Sequence, residues 1–502
     1  MKTPLSLLLA ALWPTLAPPS APAAEPGPGS ESGTEASRPP LFETFDLDTG
    51  DSVETASGAR VALVSVSEPK GEVWGEISRP EVTVSVDGES VTIVAGMYRL
   101  PVAVGGVQID CPITGGLKEN SHINHWGLEK DARLRVWPGD STWIDPGTFE
   151  YPVAQKWFAS HTAFSNEPVA PRPDGRLYYH AGLDIGGCEK LTEVVAATDA
   201  LVVSAGNRVL PGHEAKRDTP VRQRYDVLYL LDDRGWYYRY SHLDSFDPAI
   251  RAGAKVEKGQ RLGLLGKEGG SGGWTHLHFE IKSRQPSGKW GTQDGYAFLW
   301  QGYRERFDPE LLAVARPGHV VFVGDTVTHD GSRSWSRDGE IDTYQWRFSD
   351  GTAATGAEVR QTYQEPGTFM ETLEVAGPDG GTDYDFVRVK VFSRDENGDP
   401  VPPPRVHAAY HPTFGIRPGE PVTFKARAFG TTHGEETWDF GDGSPVVKTR
   451  SDGNVEKLAE DGYAVVEHVF EKPGDYLVHV WRTDEHDRLA EDRLHVRVET
   501  AP

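Results

Sequence analysis

The chain has 502 residues and carries 75 Asp and Glu against 51 Lys and Arg, a formal net charge of −24. At roughly 100–200 residues per domain this length predicts about three or four domains. Hydrophobic residues at 37%, with 14 Trp, 17 Tyr and 19 Phe, exclude wholesale disorder. The acidic balance also argues against nucleic acid as a partner, because counterion release from phosphates needs a basic face.

In chain order, residues 1–23 have the form of an export signal. Lys2 gives a positive start, Leu5 to Leu16 an apolar run, and Ala21, Pro22 and Ala23 small residues at a cleavage point. The run is shorter than the ~20 residues a membrane-spanning helix needs, and no later stretch reaches that length. No transmembrane segment is therefore expected, and the mature protein is directed to the periplasm, the cell surface or the medium. Residues 24–40, rich in Pro, Gly, Ser and Glu, read as a disordered linker.

Residues 41–167 read as an N-terminal β-domain. The alternating runs Val82 to Val86 and Val91 to Val94 flank Asp87 and Gly88, a strong hairpin signal. A second unit, 168–312, also consists of short strands and turns, with apolar runs at 193–197, 200–203 and 227–231. Gly253, Gly259, Gly263 and Gly266 punctuate it as turn residues. Two further units, 317–393 and 405–499, flank a stiff linker, 394–404, that holds Pro402, Pro403 and Pro404. Cys111 and Cys188 are the two cysteines; in an exported protein they can pair or stay as buried thiols.

The last two units repeat each other. Trp346, Phe348, Asp350 and Gly351 recur as Trp438, Phe440, Asp442 and Gly443. Tyr363, Pro366, Gly367 and Phe369 recur as Phe470, Pro473, Gly474 and Tyr476. Each copy thus runs a strand with two inward aromatics into an Asp-Gly turn, which fits a small β-sandwich. Both copies resemble PKD domains, whose signature is W-x-F-G-D-G followed by Y-x-x-P-G-x-Y. Ser349 stands where Gly is usual, and the second copy has about 15 extra residues between its motifs, around 446–462. The resemblance implies a spacer or adhesion module contacting surface glycan or protein. Turn formation is the favoured role of its aspartates over binding Ca2+.

The chemistry lies in the second unit. His180 and Asp184 stand four apart, with Gly182 between them and Gly186 and Gly187 after. In a straight strand they would be roughly 13 Å apart, too far for one zinc, so the segment must bend. In the run 275–281, Leu277, Phe279 and Ile281 face one side, and His276, His278 and Glu280 the other. One histidine can ligate a metal while its neighbour leans over an open coordination position, as a hydrolytic zinc site needs. A solvated polar strand face is the plainer alternative. His242, which shares strand parity with Tyr238 and Tyr240, is ambiguous by itself.

Taken in order, these pieces resemble the lysostaphin-like (LytM-type) zinc metallopeptidases. The family pattern H-x-x-x-D-I, V-x-A, Y-x-H-L, V-x-x-G-Q-x-I-G and H-L-H-F-E is matched at 180–185, 195–197, 240–243, 256–263 and 276–280. The resemblance implies a small antiparallel β-sheet core bearing one Zn2+ per chain, held by His180, Asp184 and His278. It also implies that His276 and His242 activate the attacking water or stabilise the oxyanion. Glu280 has the parity to orient His278 or to be a surface carboxylate. Tyr178 and Tyr179 could donate to the oxyanion or pack as aromatics. His122 and His125 read as structural. Two departures stand out: Trp274 in the segment before the H-x-H motif, and a charged insertion between Ala200 and Val227 with Tyr225, Asp226 and Val227 replacing a customary strand.

The expected fold class is mainly β and multidomain, ending in two immunoglobulin-like sandwiches. The expected function is an exported zinc endopeptidase, acting on peptidoglycan stem or cross-bridge peptides. The alternatives are an extracellular protease acting on protein and a non-catalytic wall-binding scaffold, and the intact ligand set opposes the last. From its position in the chain, the N-terminal domain could cover the groove and keep the enzyme latent.

Overall fold

A computed structural model describes residues 37–455 and 462–500. The expected export signal and residues 24–36 of the linker lie outside the described residues. Among the described residues, no helix is long and apolar enough to cross a membrane.

The region after residue 41 opens with two four-stranded sheets. One orders Glu43–Leu47, Ala132–Pro138, Val107–Thr114 and Val102–Val104, and the other Ser52–Glu54, Arg60–Ser67, Glu81–Val86 and Glu89–Val94. Val61, Leu63, Val82, Val84 and Val86 from the second sheet meet Val107, Ile109, Leu134 and Val136 from the first in one core. The hairpin expected at Asp87 and Gly88 forms, with Val86 opposite Glu89 and both turn residues at positive φ (49° and 91°).

A nine-stranded antiparallel sheet follows. Its main order is Arg208–Val209, Ala200–Ala205, Leu228–Leu231, Tyr237–Ser241, His276–Arg284, Leu183–Gly186 and Thr162–Ala163. A three-stranded sheet of Glu193–Val195, Arg261–Leu265 and Leu243–Phe246 packs beside it. Their shared core gathers Phe42, Tyr98, Trp137 and Phe149 together with Leu183, Phe279 and Phe298. The chain before residue 167 therefore builds the floor beneath the site strands. The helix Tyr296–Phe307 was not among the elements read from the sequence. Seven of its residues are buried, from Tyr296 to Tyr303, so apolar surroundings enclose its first two turns and no amphipathic stripe marks them.

The two C-terminal units are sandwiches, each with its tryptophan, Trp346 or Trp438, fully buried. They are not beads on a string. Gly367 and Thr368 pair in parallel with Leu489 and Ala490, so one ten-stranded sheet runs through both units. Ser349 lies at this junction, and its hydroxyl bonds Glu371 of the first unit and Glu491 of the second. The departure from Gly thus supplies a link between the copies. The same pair docks on the site-bearing sheet: Ser160 Oγ meets His407 Nε2 at 3.0 Å, and Arg316 reaches Thr162 Oγ1 at 2.6 Å.

Candidate active site

Three features of the backbone bring the predicted ligands together. Asp184 lies directly opposite His278 in the antiparallel pair Leu183–Gly186 and His276–Arg284. Cross-strand neighbours on one face hold their Cβ atoms about 4.5–5.5 Å apart. His180 enters from the turn before, where Gly182 takes φ +106°. A Cβ on Gly182 would stand 2.8 Å from the Phe279 carbonyl oxygen, so only glycine allows this close crossing. The required bend is there. Beneath it Leu277, Phe279 and Ile281 are buried, which fixes the strand register and turns His276, His278 and Glu280 to the opposite face.

His180 Nε2 lies 2.9 Å from Asp184 Oδ1 and 3.1 Å from His278 Nδ1. His278 Nδ1 is in turn 2.9 Å from Asp184 Oδ1. These separations are close to the ~3.3 Å edge of a tetrahedron whose bonds are ~2 Å. The three ligand atoms, all within 4.8 Å of one another, could hold one metal ion. Burial alone would raise the pKa of Asp184. The charge of His180, with the hydrogen bonds of His180 and His278, overrides burial and holds it well below the usual carboxylate range.

His242 and His276 stand beside this group, their rings 4.7 Å apart. Both are fixed through Nδ1 to backbone carbonyls. His242 Nδ1 donates to Glu268 O at 2.6 Å, and His276 Nδ1 to Trp274 O at 3.1 Å. A carbonyl can only accept, so the proton sits on Nδ1 and Nε2 keeps its lone pair. Burial lowers the pKa of both imidazoles, well below the ordinary value for His276. His242 has φ +70°, rare for a residue with a Cβ, and Asp226 secures it by accepting its backbone N–H at 3.0 Å. Asp226 is itself gripped by Arg224. The replaced strand noted in the sequence thus anchors His242.

The remaining predicted residues divide. Glu280 is buried, with Oε2 4.0 Å from His278 Nε2, while Lys282 and Thr292 hold its Oε1 at 2.5 and 2.8 Å. It is no surface carboxylate. Tyr178 lines the cavity in front of the histidines. Tyr179 points elsewhere, receiving Ile77 N–H at 2.7 Å and donating to Asn120 Oδ1 at 2.8 Å. Strand alternation sends it to the N-terminal region, so it cannot reach an oxyanion. Cys111 and Cys188 are each a buried free thiol. His122 bonds Asp174 at 2.9 Å on an exposed face. His125, by contrast, is enclosed near Glu280, its Nε2 has no partner among the described residues, and burial lowers its pKa to about 4.

In front of the histidines is a cavity of about 240 Å³. Trp274 stacks on His276 at 3.9 Å between ring centroids and shapes one side of it. The loop that carries Trp274 is held by the last unit: Tyr463 Oη accepts Thr275 N–H at 2.8 Å, Arg427 donates to Gly273 O, and Asn454 donates to Gly272 O at 3.2 Å. Asn454 comes from the extra residues of the second repeat. Arg388, Lys390 and Arg405 also line the cavity. Sequence reasoning missed these three, since a charged residue on a strand of another unit carries no local motif.

A β-sheet scaffold with a His-Asp-His group and two carbonyl-fixed imidazoles is a metallopeptidase type of centre. Residues 178–289 match the model of Peptidase family M23, and residues 311–391 and 407–498 each match a PKD domain model. The chain therefore carries an M23 peptidase domain followed by two PKD domains. Among solved structures it is similar to a zinc containing peptidase from Vibrio cholerae, at 14% identity, 50% of this chain, 98% of that chain and a TM-score of 0.21. It is also similar to Helicobacter pylori Csd3 from the hexagonal crystal, at 12% identity, 53% of this chain, 80% of that chain and a TM-score of 0.21. Collagenase ColA of Clostridium perfringens is 32% identical over 82 residues, 16% of this chain. The matched part is 7% of that collagenase's own length.

Proposed function

We propose that this protein is an exported zinc-dependent endopeptidase that hydrolyses peptide bonds of peptidoglycan stem or cross-bridge peptides. The observation that carries this reading is the convergence of His180 Nε2, His278 Nδ1 and Asp184 Oδ1 on one point, beside two imidazoles with free Nε2 lone pairs. Two neutral imidazoles and a carboxylate are a donor set that suits zinc. Protons shared with Asp184 hold both imidazoles in place, and a cation bound among the three atoms would take the place of those protons. Bound there, zinc supplies Lewis acidity toward a peptide carbonyl and makes water nucleophilic near neutral pH.

The chain's own residues do the rest. His242 and His276, each with Nδ1 committed to a carbonyl, offer Nε2 to take a proton from the attacking water and return it to the departing amine. Glu280 lies behind His278 Nε2 and favours the orientation that leaves Nδ1 facing Asp184. Tyr178 lies in the cavity with its hydroxyl available to a developing oxyanion. The cavity is narrow, and Trp274 limits what can lie beside His276. The peptidoglycan substrate is an inference from the kind of domain, and export from the N-terminal pattern.

The test uses the full chain incubated with isolated peptidoglycan sacculi, the released fragments being identified by mass spectrometry. Release of peptide-cleaved fragments that a zinc chelator stops is the expected result. No release by protein that holds zinc would transfer the reading to a protein substrate. Failure to hold zinc would leave a binding scaffold.

A further inference from the structure

The two PKD domains supply a charged wall to the peptidase cavity. Arg388 and Lys390 stand two apart on the strand Thr382–Arg394, while the intervening Val387, Val389 and Val391 are buried in the first PKD core. The alternation therefore turns both cations off the domain's own core and onto the cavity that His180, Asp184 and His278 also line. Arg405 opens the strand Arg405–His411 of the second PKD domain. It shares parity with His407, whose bond to Ser160 pins that strand to the peptidase sheet. Three cations from two domains thus border one small cavity.

Their pairing is the unusual part. The neighbouring interface arginines have carboxylate partners: Arg316 lies 3.2 Å from Asp385 and Arg427 bonds Asp452. Among the described residues, Arg388, Lys390 and Arg405 make no ion pair and no side-chain hydrogen bond; Arg405 only lies over the Phe429 ring at 5.1 Å. Glu167, which also lines the cavity, and Asp492 are acidic neighbours whose charge reaches them without an ion pair, and both carboxylates accept hydrogen bonds elsewhere. Glu167 accepts Tyr98 O–H at 2.6 Å and Phe164 N–H at 2.9 Å, and Asp492 accepts Ala408 N–H at 2.7 Å. Burial, and then the charge of neighbouring arginines, lowers Arg388 to about 10 and Lys390 well below the ordinary lysine value. Half-buried like charges without a direct ion pair are costly, and an incoming anion relieves both desolvation and repulsion.

We infer that Arg388, Lys390 and Arg405 form a subsite for a carboxylate of the peptide substrate, so that the PKD domains set the substrate preference of the neighbouring peptidase centre. This rests on the peptidase reading above. A carboxylate held there neutralises the wall while the rest of the peptide lies toward the histidines. The carboxylate can be a chain terminus or an acidic side chain; either presents two acceptor oxygens to guanidinium and ammonium groups.

The test digests three peptide pools with the zinc-loaded full chain: neutral peptides with C-terminal amides, the same peptides as free acids, and amidated peptides with one internal Glu. At least one carboxylate-bearing pool should be cleaved about tenfold faster than the neutral pool in kcat/KM. In Arg388→Gln/Lys390→Gln, with zinc content confirmed, that ratio should fall to within about twofold. Lys472→Gln, an exposed lysine that does not line the cavity, should keep it. The pool that gains identifies the source of the carboxylate. A ratio near one in the unaltered protein, or an unchanged ratio in the double variant, overturns the subsite. The same peptides are also titrated onto metal-free protein. Carboxylate-selective binding that the double variant loses, with no hydrolysis of any pool, keeps the subsite and fails the peptidase reading. Binding without selectivity overturns the subsite whatever the hydrolysis.

Discussion

The two walls of the site cavity are built on opposite rules. On the peptidase side the site residues are fixed by one another and by the backbone: Asp184 ties His180 to His278, carbonyls fix His242 and His276, and Asp226 fixes the strained backbone of His242. On the PKD side three cations border the cavity with no ion pair or side-chain hydrogen bond among the described residues. A satisfied wall is preorganised for a reaction whose geometry does not change from one substrate to the next. An unsatisfied wall leaves its interaction energy for the ligand. Under the proposed function and subsite, the difference separates chemistry from selection and assigns them to different domains.

Breaking the satisfied wall should have the largest effect. Asp184→Ala removes the atom shared by both histidines, so metal content should fall to background and peptide release by about 10³-fold or more. Metal analysis of the purified variant checks the first part, and fragment quantification the second. His242→Ala should act differently: metal is kept, and kcat/KM falls about 10²–10⁴-fold, the range of a lost general base. A variant that also lost its metal would make His242 part of the metal site.

The pH profile sharpens that contrast. A general base works as neutral imidazole, and burial of His242 favours the neutral form, with the Asp226 hydrogen bond opposing it. The acid limb of kcat/KM should therefore lie below the ordinary histidine value of about 6.5. An acid limb above that value would contradict this role for a buried His242.

The peptidase wall was legible because it is local. H-x-x-x-D, Y-x-H-L and H-x-H each place their residues by strand alternation and one glycine bend, and Gly182 takes the bend that the His180 to Asp184 distance demands. The hairpin at Asp87 and Gly88 and the repeated tryptophans were legible for the same reason. What escaped depends on distant packing. The helix Tyr296–Phe307 is enclosed on every side over its first turns, and Tyr179 alternates away from the site toward Asn120. Arg388 and Lys390 alternate with core valines as on any solvated strand face, until a second domain covers that face. The Ser349 departure had no meaning until Glu491 of the other copy came within reach of its hydroxyl.

The clamp between the walls should give a smaller effect. Tyr463→Phe leaves the buried Thr275 N–H without its acceptor and His407 without its partner hydroxyl. An unsatisfied buried donor costs about 1–3 kcal/mol, which thermal unfolding should register as a lower midpoint. The loop carrying Trp274 should loosen with it, raising KM more than it lowers kcat. Equal stability in the variant would mean that water replaces the hydroxyl and that Arg427 and Asn454 hold this loop without it.

The smallest effect lies at the join between the PKD copies, where one carboxylate pays for its neighbour. Burial, and then the charge of Glu491, raises Glu371 to about 7, whereas burial of Glu491 is outweighed by His479 and Arg493, which keep it ionised. A carboxylate with a raised folded pKa binds its proton more tightly in the folded state. Its contribution is therefore fully present below the ordinary glutamate value of about 4.5 and is lost as pH rises through 7. Buried His495 and His329, lowered to about 4 and about 3, run in the opposite sense, so the raw stability curve mixes both. The difference between Glu371→Gln and the unaltered protein isolates the one group. Glutamine cannot ionise, so the variant should gain about 1 kcal/mol relative to the unaltered protein between pH 6 and pH 7. A difference that stays flat across this range would mean that Glu371 is ionised throughout and that the Ser349 link bears two full negative charges.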